Sequence, residues 1–305
     1  MIPFAYANGT DSGGLREPSS LIVDSHQHFW QVGRFDYPWM TPEVEVLCHD
    51  YLPTALAPWL AQNGVEKTIL VQASNSVEET RWLLKLAEQN SFIAGVVGWV
   101  DLTADGFVDQ LDEFTAHPRF KGVRHLVESE PQDDWLTQPR VLANLRTLAE
   151  RGVAYDLLVH TRHLKHALTV AVSCPELRLV VDHLAKPPIA RGEIDDWSRG
   201  LRQFGLRPNV WCKLSGLVTE ADWTSWRVED LQPYVDLALE VFGPRRMMFG
   251  SDWPVCLLAG SYEQVLGAAQ SMLAGVSEED RRNIFAANAI DFYRIDGSEI
   301  WSAAA

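Results

Sequence analysis

Ionisable side chains occupy every second position near the start of the sequence, where Asp24, His26 and His28 follow an apolar run at 21–23. The apolar run is typical of a buried β-strand. Alternate residues of a strand point to the same side, which puts the two imidazoles about 6.6 Å apart along the backbone. Two imidazoles placed in this way can bind one metal ion or polarise one bound oxygen atom. The spacing therefore predicts acid–base or metal chemistry at the C-terminal end of this strand.

Ionisable residues also stand at the ends of later strand-like segments. His183 lies in the segment VVDHLAKP, and Asp252 lies in MFGSDWPV. Charged groups are costly inside a protein core unless they are paired or coordinated, so their collection at one end of successive strands predicts a shared active site. Strand four carries Arg124 and His125 at the corresponding end, and strand five ends at His160. Strand seven carries Lys213 and Ser215.

The elements that must position these residues alternate along the whole chain. Eight short apolar strands separated by amphipathic segments are typical of a parallel sheet covered by helices, and eight strands close a (β/α)8 TIM barrel. An open, doubly wound sheet is the alternative, but no G-x-G-x-x-G phosphate loop follows the first strand. The strands are predicted at 21–29, 67–73, 93–102, 120–126, 153–160, 177–184, 209–216 and 246–253, and helices at 76–90, 137–152 and 228–243.

The fold class expected is therefore α/β, a single-domain TIM barrel over residues 21–305. Residues 1–20 are rich in Gly, Ser and Asn and carry no signal-peptide pattern, which predicts a disordered or loosely packed N-terminal extension. No stretch approaches the roughly 18–20 apolar residues that a transmembrane helix requires. The four cysteines are scattered without a C-x-x-C pair, as is typical of a cytoplasmic protein rather than a disulfide framework.

The formal net charge of −15 disfavours nucleic acids and anionic membranes as partners. Binding to phosphate groups needs clustered Lys and Arg side chains, which this composition does not favour. The partner expected is instead a small molecule, while the sequence leaves the oligomeric state open.

The segments DSHQHFW, GVRH, VVDHLAKP, KLSGL and MFGSDWPV resemble the strand-end signatures of the amidohydrolase superfamily. Within it they resemble the sugar-lactone hydrolases, the branch that includes L-fuconolactonase, L-rhamnonolactonase and pyrone-dicarboxylate lactonase. The resemblance runs from about residue 21 to residue 294 and implies hydrolytic chemistry at the C-terminal face of a TIM barrel. By position, His26 and His28 match the H-x-H of strand one. His183 matches the histidine of strand six, and Asp252 matches the general-base aspartate of strand eight.

The resemblance leaves the need for a metal open. Binuclear members of the superfamily carry a carboxylated lysine at the end of strand four. Here Lys121 lies at the beginning of that strand, which argues against a binuclear site. Because the family includes lactonases that work without a metal, two alternatives remain. Either no metal is strictly required, or one divalent ion, Zn²⁺ before others, is held by His26, His28, His183 and Asp252.

The function expected is hydrolysis of a sugar-acid lactone, such as L-fuconolactone. Asp252 is the expected general base, which takes a proton from water and returns it to the ring oxygen that leaves. His26, His28 and His183 are the catalytic residues expected around the carbonyl oxygen. A metal-dependent decarboxylase of a planar unsaturated or aromatic acid is the alternative on the same barrel. The residues expected to contact the substrate are Arg124, His160, Lys186 and Trp30.

Overall fold

A ring of eight parallel strands forms the centre of the protein, for which the computed structural model describes residues 21–296. Each strand pairs in parallel with the next one in sequence, so the strand order is the chain order. This arrangement confirms the predicted TIM barrel, while the extension predicted at 1–20 lies outside the described residues. The strands are β1 (Ile22–Gln27), β2 (Val65–Val71), β3 (Ile93–Gly98), β4 (Phe120–His125), β5 (Ala154–Leu157), β6 (Leu179–Val181), β7 (Val210–Leu214) and β8 (Met247–Phe249).

Helices connect the strands and cover the outside of the ring. In α4, Val141, Leu145 and Leu148 are buried at helical spacing, so one face of the helix packs on the barrel. No described helix is long and apolar enough to cross a membrane. The helices are α1 (Pro53–Asn63), α2 (Val77–Gln89), α3 (Phe107–Thr115), α4 (Pro139–Glu150), α5 (Leu164–Ser173), α6 (Asp195–Leu201), α7 (Leu217–Glu220), α8 (Val228–Phe242), α9 (Tyr262–Met272), α10 (Glu278–Arg282) and α11 (Asn288–Phe292).

The barrel interior is apolar at its N-terminal end. Side chains such as Val23, Ile69 and Val180 fill it, and Phe292 and Tyr293 at the end of α11 pack against them from below. This apolar plug leaves the C-terminal ends of the strands as the part of the interior where polar side chains gather. The interior is thus a packed core that supports a site above it, as is usual for this fold.

The ring closes through backbone hydrogen bonds beyond the last strand. The Asp252 N–H donates to the His26 carbonyl oxygen over 2.8 Å, and the His28 N–H donates to the Trp253 carbonyl oxygen over 2.7 Å. The residues predicted to carry the chemistry therefore also join the first strand to the segment after the last one.

All eight strands end earlier than predicted, and three of them end just before a residue of the expected site. Strand β1 ends before His28, β6 ends before His183, and β8 ends before Asp252. His183 and Asp252 have left-handed backbone, with φ of 53° and 58°, which no strand accommodates. These side chains are therefore placed by the connections that follow the strands.

Candidate active site

Four of the predicted residues converge on one point at the mouth of the barrel. The Nε2 atoms of His26 and His28 lie 3.1 Å apart. One carboxylate oxygen, Oδ1 of Asp252, lies 3.3 Å from Nε2 of His28 and 3.7 Å from Nε2 of His26. The same oxygen lies 3.9 Å from Nε2 of His183. All four side chains are buried, so their electrostatic interactions act in a region largely shielded from water.

His183 reaches this point from an unusual left-handed turn. Residues 183–186 all have positive φ, between 49° and 60°, although none is glycine. Such backbone costs roughly 1–2 kcal/mol per residue. The turn is closed by the Lys186 N–H, which donates to the His183 carbonyl over 2.8 Å, and by the Trp197 Nε1–H, which donates to the Leu184 carbonyl over 2.6 Å. Both His183 and Lys186, at its two ends, line the same cavity.

Gly216 gives His183 its space. Gly216 has a φ of 65°, and a Cβ atom built on it would lie 2.5 Å from Nδ1 of His183. A side chain at this position would displace the imidazole, whose Nδ1 lies 2.9 Å from Oγ of Ser215. The K-L-S-G segment therefore requires glycine at this position, because any side chain would collide with His183.

A buried network of charges lies directly beneath the histidines. The Lys213 ammonium lies 2.6 Å from Oδ2 of Asp156 and 3.0 Å from Oδ1 of Asp182. The Arg124 guanidinium donates to Oδ2 of Asp182 over 3.2 Å and also to the Gln72 carbonyl. Burial alone would raise the pKa of Asp182, but Lys213 and the other cations hold it well below its usual value. Asp182 is therefore ionised under the site.

The donors and acceptors around His26 and His28 assign their tautomers. Lys213 has only donors and lies 3.0 Å from Nδ1 of His26, so this nitrogen accepts a hydrogen bond. Burial, together with Lys213, lowers the pKa of His26 well below its usual value, so the ring is neutral. Arg124 Nη1 lies 3.4 Å from Nε2 of His26, but the shorter contacts, 3.0 Å from Lys213 to Nδ1 and 3.1 Å from Nε2 to Nε2 of His28, place the proton on Nε2. The Val71 carbonyl accepts from Nδ1 of His28 over 2.8 Å, which leaves Nε2 of His28 as an acceptor. The site thus has an N–H donor on His26.

The charge state of the remaining groups follows from their surroundings. Burial lowers the pKa of His28, and it lowers the pKa of His183 to about 4. Burial alone would raise the pKa of Asp252, but the neighbouring His183 and His28 outweigh it and the net pKa lies below the usual value. At neutral pH the site therefore presents neutral imidazoles and one carboxylate.

Asp24 does not join this group, and the prediction that it shares a side with the two histidines is wrong. Between Asp24 and Gln27 the pairing with β2 shifts by one residue, so a bulge interrupts the alternation of side chains. The carboxylate instead accepts hydrogen bonds from the Ser251 N–H and the Tyr262 hydroxyl, both over 2.9 Å. Burial raises the pKa of Asp24 to about 6.

A cavity of about 240 Å³ opens beside the convergence point. Of the residues expected to contact the substrate, Arg124, Lys186 and Trp30 line it, and His160 does not. Trp30 is fully buried, because its Nε1–H donates to loop carbonyls and its ring packs on Trp39 at 4.9 Å. Trp39, in the same loop, is the more exposed of the two rings.

Sequence reasoning missed Glu128 and Ser129, which line the cavity after β4. Nothing in the segment LVESE distinguishes Glu128 from an ordinary surface acid. Its carboxylate lies 2.6 Å from Nζ of Lys186 and 3.1 Å from Nε2 of His160. His160 therefore contacts a residue of the cavity wall, Glu128, and does not line the cavity itself.

The donor set also fits one divalent metal ion. Ligand atoms of His26, His183 and Asp252 all lie within 4.8 Å of one another. Tetrahedral ligands around zinc lie roughly 3.4 Å apart, and two imidazoles with one carboxylate are a usual set for a catalytic zinc site. Nε2 of His28 lies 3.1 Å from Nε2 of His26 and 3.3 Å from Oδ1 of Asp252, so His28 is a fourth candidate ligand at the same point. To bind a metal through Nε2, His26 would have to move its proton to Nδ1, where Oδ1 of Asp182 lies 3.4 Å away.

The chain resembles known proteins along nearly its whole barrel. The Amidohydrolase family matches residues 23–295. An L-fucono-1,5-lactonase from Burkholderia ambifaria is 37% identical over 278 residues, which cover 90% of this chain and 96% of the relative. A second L-fucono-1,5-lactonase, from Burkholderia multivorans, is 41% identical over 256 residues, covering 81% and 86% of the two chains.

Solved structures agree with these sequence relatives. The crystal structure of an amidohydrolase from Burkholderia multivorans with bound zinc is 36% identical, with a TM-score of 0.86. It covers 90% of this chain and 100% of its own. The chain therefore belongs to the amidohydrolase family.

Proposed function

We propose that this enzyme hydrolyses a sugar-acid lactone of the type of L-fucono-1,5-lactone. The observation that carries the proposal is the convergence of a carboxylate and three neutral imidazoles beside a small cavity, in a chain whose relatives are named L-fucono-1,5-lactonases. A water molecule, a polarised carbonyl and a proton for the ring oxygen are the three requirements of lactone opening. The residues of this site supply the groups for each.

The proposed reaction begins at Asp252. Its carboxylate takes a proton from a water molecule as the water oxygen attacks the carbonyl carbon of the lactone. The carbonyl oxygen becomes negatively charged and accepts a hydrogen bond from the Nε2–H of His26. The ring C–O bond then breaks, and the leaving alkoxide takes the proton back from Asp252. The product is the open-chain sugar acid, which ionises in water.

The residues that would hold a metal ion are His26, His183 and Asp252, with His28 beside them. A bound divalent ion supplies Lewis acidity and lowers the pKa of a coordinated water molecule. The tautomer of His26 and the ionisation of Asp252 are set by this chain's own residues, Lys213 and the histidines.

The depressed pKa of Asp252 favours a lactone over an amide as the substrate. A carboxylate with a low pKa is a weak base, so the bond to be broken must be reactive and its leaving group good. A cyclic ester meets this condition better than an amide. Arg124 and Lys186 are the proposed substrate contacts, with Trp39 as the apolar surface that packs on the sugar and Trp30 as its support from behind.

The test is a panel of aldonolactones in a pH-indicator assay, with L-fucono-1,5-lactone among them. Aromatic acids are assayed in parallel for release of carbon dioxide, which covers the decarboxylase alternative. We expect acid release from at least one lactone and no carbon dioxide. Carbon dioxide release without lactone opening would overturn the proposal. Elemental analysis, with activity before and after chelation, decides whether the metal is needed.

The substitution Asp252→Asn tests the general base. Asparagine tolerates the left-handed backbone at this position, so we expect the fold to persist while kcat falls by about 100- to 10,000-fold. The matched control is Asp222→Asn, at an exposed aspartate after α7, which we expect to leave kcat unchanged. Retained turnover in a folded Asp252→Asn variant would remove Asp252 from this role.

A further inference from the structure

Charged side chains in the cavity wall balance one another. The charged residues that line it are Arg124, Lys186, Glu128 and Asp252, two of each sign. The formal charges of these four side chains therefore cancel.

Each of the two cations is already paired with a carboxylate. The Arg124 guanidinium donates to the buried Asp182, over 3.2 Å. The Lys186 ammonium lies 2.6 Å from Oε2 of Glu128, at the same cavity wall. A ligand that carries a carboxylate would have to compete with Asp182 for Arg124 or with Glu128 for Lys186.

Glu128 is held firmly in this position. It follows β4, Lys186 follows β6 and His160 follows β5, so three successive connections meet at one carboxylate. Only 26% of the Glu128 side chain and 19% of the Lys186 side chain are exposed, which strengthens the ion pair relative to one in open solvent. A second acid near Lys186, Glu220, faces a neighbouring groove and does not line the cavity.

We propose that Glu128 is a specificity-determining residue that, by neutralising Lys186, admits uncharged polyhydroxy lactones and excludes lactones that carry a carboxylate. The inference rests on the proposed function and names its substrate class. A carboxylate brought next to Glu128 meets a like charge, whereas hydroxyl groups can donate to Glu128 and accept from Lys186 at once. Selectivity thus comes from repulsion of the wrong substrate as much as from attraction of the right one.

The test compares two lactones that differ only at C6. D-Glucono-1,4-lactone has a hydroxymethyl group there, and D-glucaro-1,4-lactone has a carboxylate. Both are measured as competitive inhibitors of L-fucono-1,5-lactone hydrolysis. We expect the wild-type protein to bind the neutral lactone more tightly. In Glu128→Gln the ratio of inhibition constants should shift toward the anionic lactone by about tenfold or more, because Lys186 loses the carboxylate 2.6 Å away and can bind that of the lactone.

Two further variants define the cause. Glu130→Gln changes the net charge equally in the same connection, at a side chain that is also 26% exposed but contacts His125 outside the cavity. We expect it to leave the ratio unchanged. Adding Lys186→Met to Glu128→Gln should abolish the gain in binding of the anionic lactone. Thermal unfolding of each variant verifies that it is folded.

The outcomes separate this inference from the proposed function. A ratio that stays within about twofold of wild type in folded Glu128→Gln overturns the inference, even if the protein hydrolyses neutral lactones. The same conclusion follows if the variant still fails to bind the anionic lactone. Absence of lactone hydrolysis by the wild-type protein would instead contradict the proposed function.

Discussion

At the scale of single residues, Lys213 determines which ring nitrogen of His26 carries the proton. Its ammonium donates to Nδ1 of His26 and leaves the ring proton on Nε2, where it can stabilise a developing oxyanion. The same proton must leave Nε2 before this nitrogen can bind a metal ion. Lys213 therefore favours the proposed role of His26 as a hydrogen-bond donor and opposes metal binding by the same imidazole.

A double substitution tests this balance. Lys213→Met alone would leave Asp156 and Asp182 without their shared cation, at a cost of about 3–5 kcal/mol, so it is combined with Asp156→Asn. Without Lys213 the His26 proton moves to Nδ1, facing Asp182. We expect zinc affinity to rise about tenfold and kcat to fall about 100-fold. Competition with a chromophoric chelator measures the zinc affinity.

The control for this pair is Asp156→Asn alone. It keeps the contact of Lys213 with Nδ1 of His26, so zinc affinity should stay at the wild-type value. Equal zinc affinity in the single and double variants would show that Lys213 does not set the tautomer.

Residue types and spacing were sufficient to predict the convergence of His26, His28, His183 and Asp252, because parallel strand ends meet at one face of a barrel. The partners of Lys213 were not predictable. They come from β5 and from the connection after β6, and only the three-dimensional register brings them together. Asp24 was misplaced because a bulge of one residue carries no clear sequence signal.

At the scale of elements, the left-handed turn at 183–186 positions His183, one of the proposed catalytic residues. One of its two middle residues, Ala185, is fully buried with a φ of 60°. A β-branched side chain is strongly disfavoured by such backbone and would also overfill the core. We expect Ala185→Val to destabilise the protein by about 2–4 kcal/mol and to lower kcat through displacement of His183. Urea unfolding and steady-state kinetics measure the two effects.

Ala185→Gly is the matched comparison. Glycine adopts positive φ without a steric cost, which offsets the loss of a methyl group and of chain entropy, so stability should change by less than about 1 kcal/mol. If the valine variant were as stable as the glycine variant, the left-handed backbone conformation of Ala185 would not limit which side chains this position accepts.

The same turn shows where prediction of elements from sequence reached its limit. Alternation of apolar strands and amphipathic helices predicted all eight strands, since buried parallel strands have a distinct pattern. Their ends were predicted too late. Nothing in V-V-D-H-L-A-K indicates that non-glycine residues adopt left-handed backbone, because the tertiary contacts that hold them, such as Trp197 to Leu184, come from elsewhere in the chain.

At the scale of the whole molecule, buried ionisable groups make stability depend on pH in opposing directions. Burial lowers the pKa of His183 from 6.5 to about 4. The unfolded chain therefore binds a proton here before the folded protein does, and the protein loses stability as pH falls through this interval. Burial raises the pKa of Glu79 from 4.5 to about 7, so this group loses stability as pH rises through that interval. The two effects partly cancel in the wild-type protein.

Glu79→Gln isolates one of them. The Glu79 carboxylate accepts hydrogen bonds from the N–H groups of Ala73 and Ser74, which a glutamine oxygen can also accept. The variant has no proton to lose, so its stability relative to wild type should increase between about pH 5 and pH 7.5, by on the order of 3 kcal/mol. Urea midpoints at the two pH values measure this. Glu78→Gln, at an exposed acid, should show no such trend, and a flat difference for Glu79→Gln would contradict the buried charge.

The seam between β1 and the segment after β8 also determines when the enzyme becomes competent during its synthesis. The residues that close the ring, His26 and Asp252, lie 226 positions apart and are the same ones that are proposed to act on the substrate. A nascent chain that has not yet released its last strand therefore has an imidazole pair but no base. If Asp252 is the base, as proposed, such a chain stays inactive however much of it has folded, and the first turnover has to wait until the ribosome has delivered nearly the entire barrel.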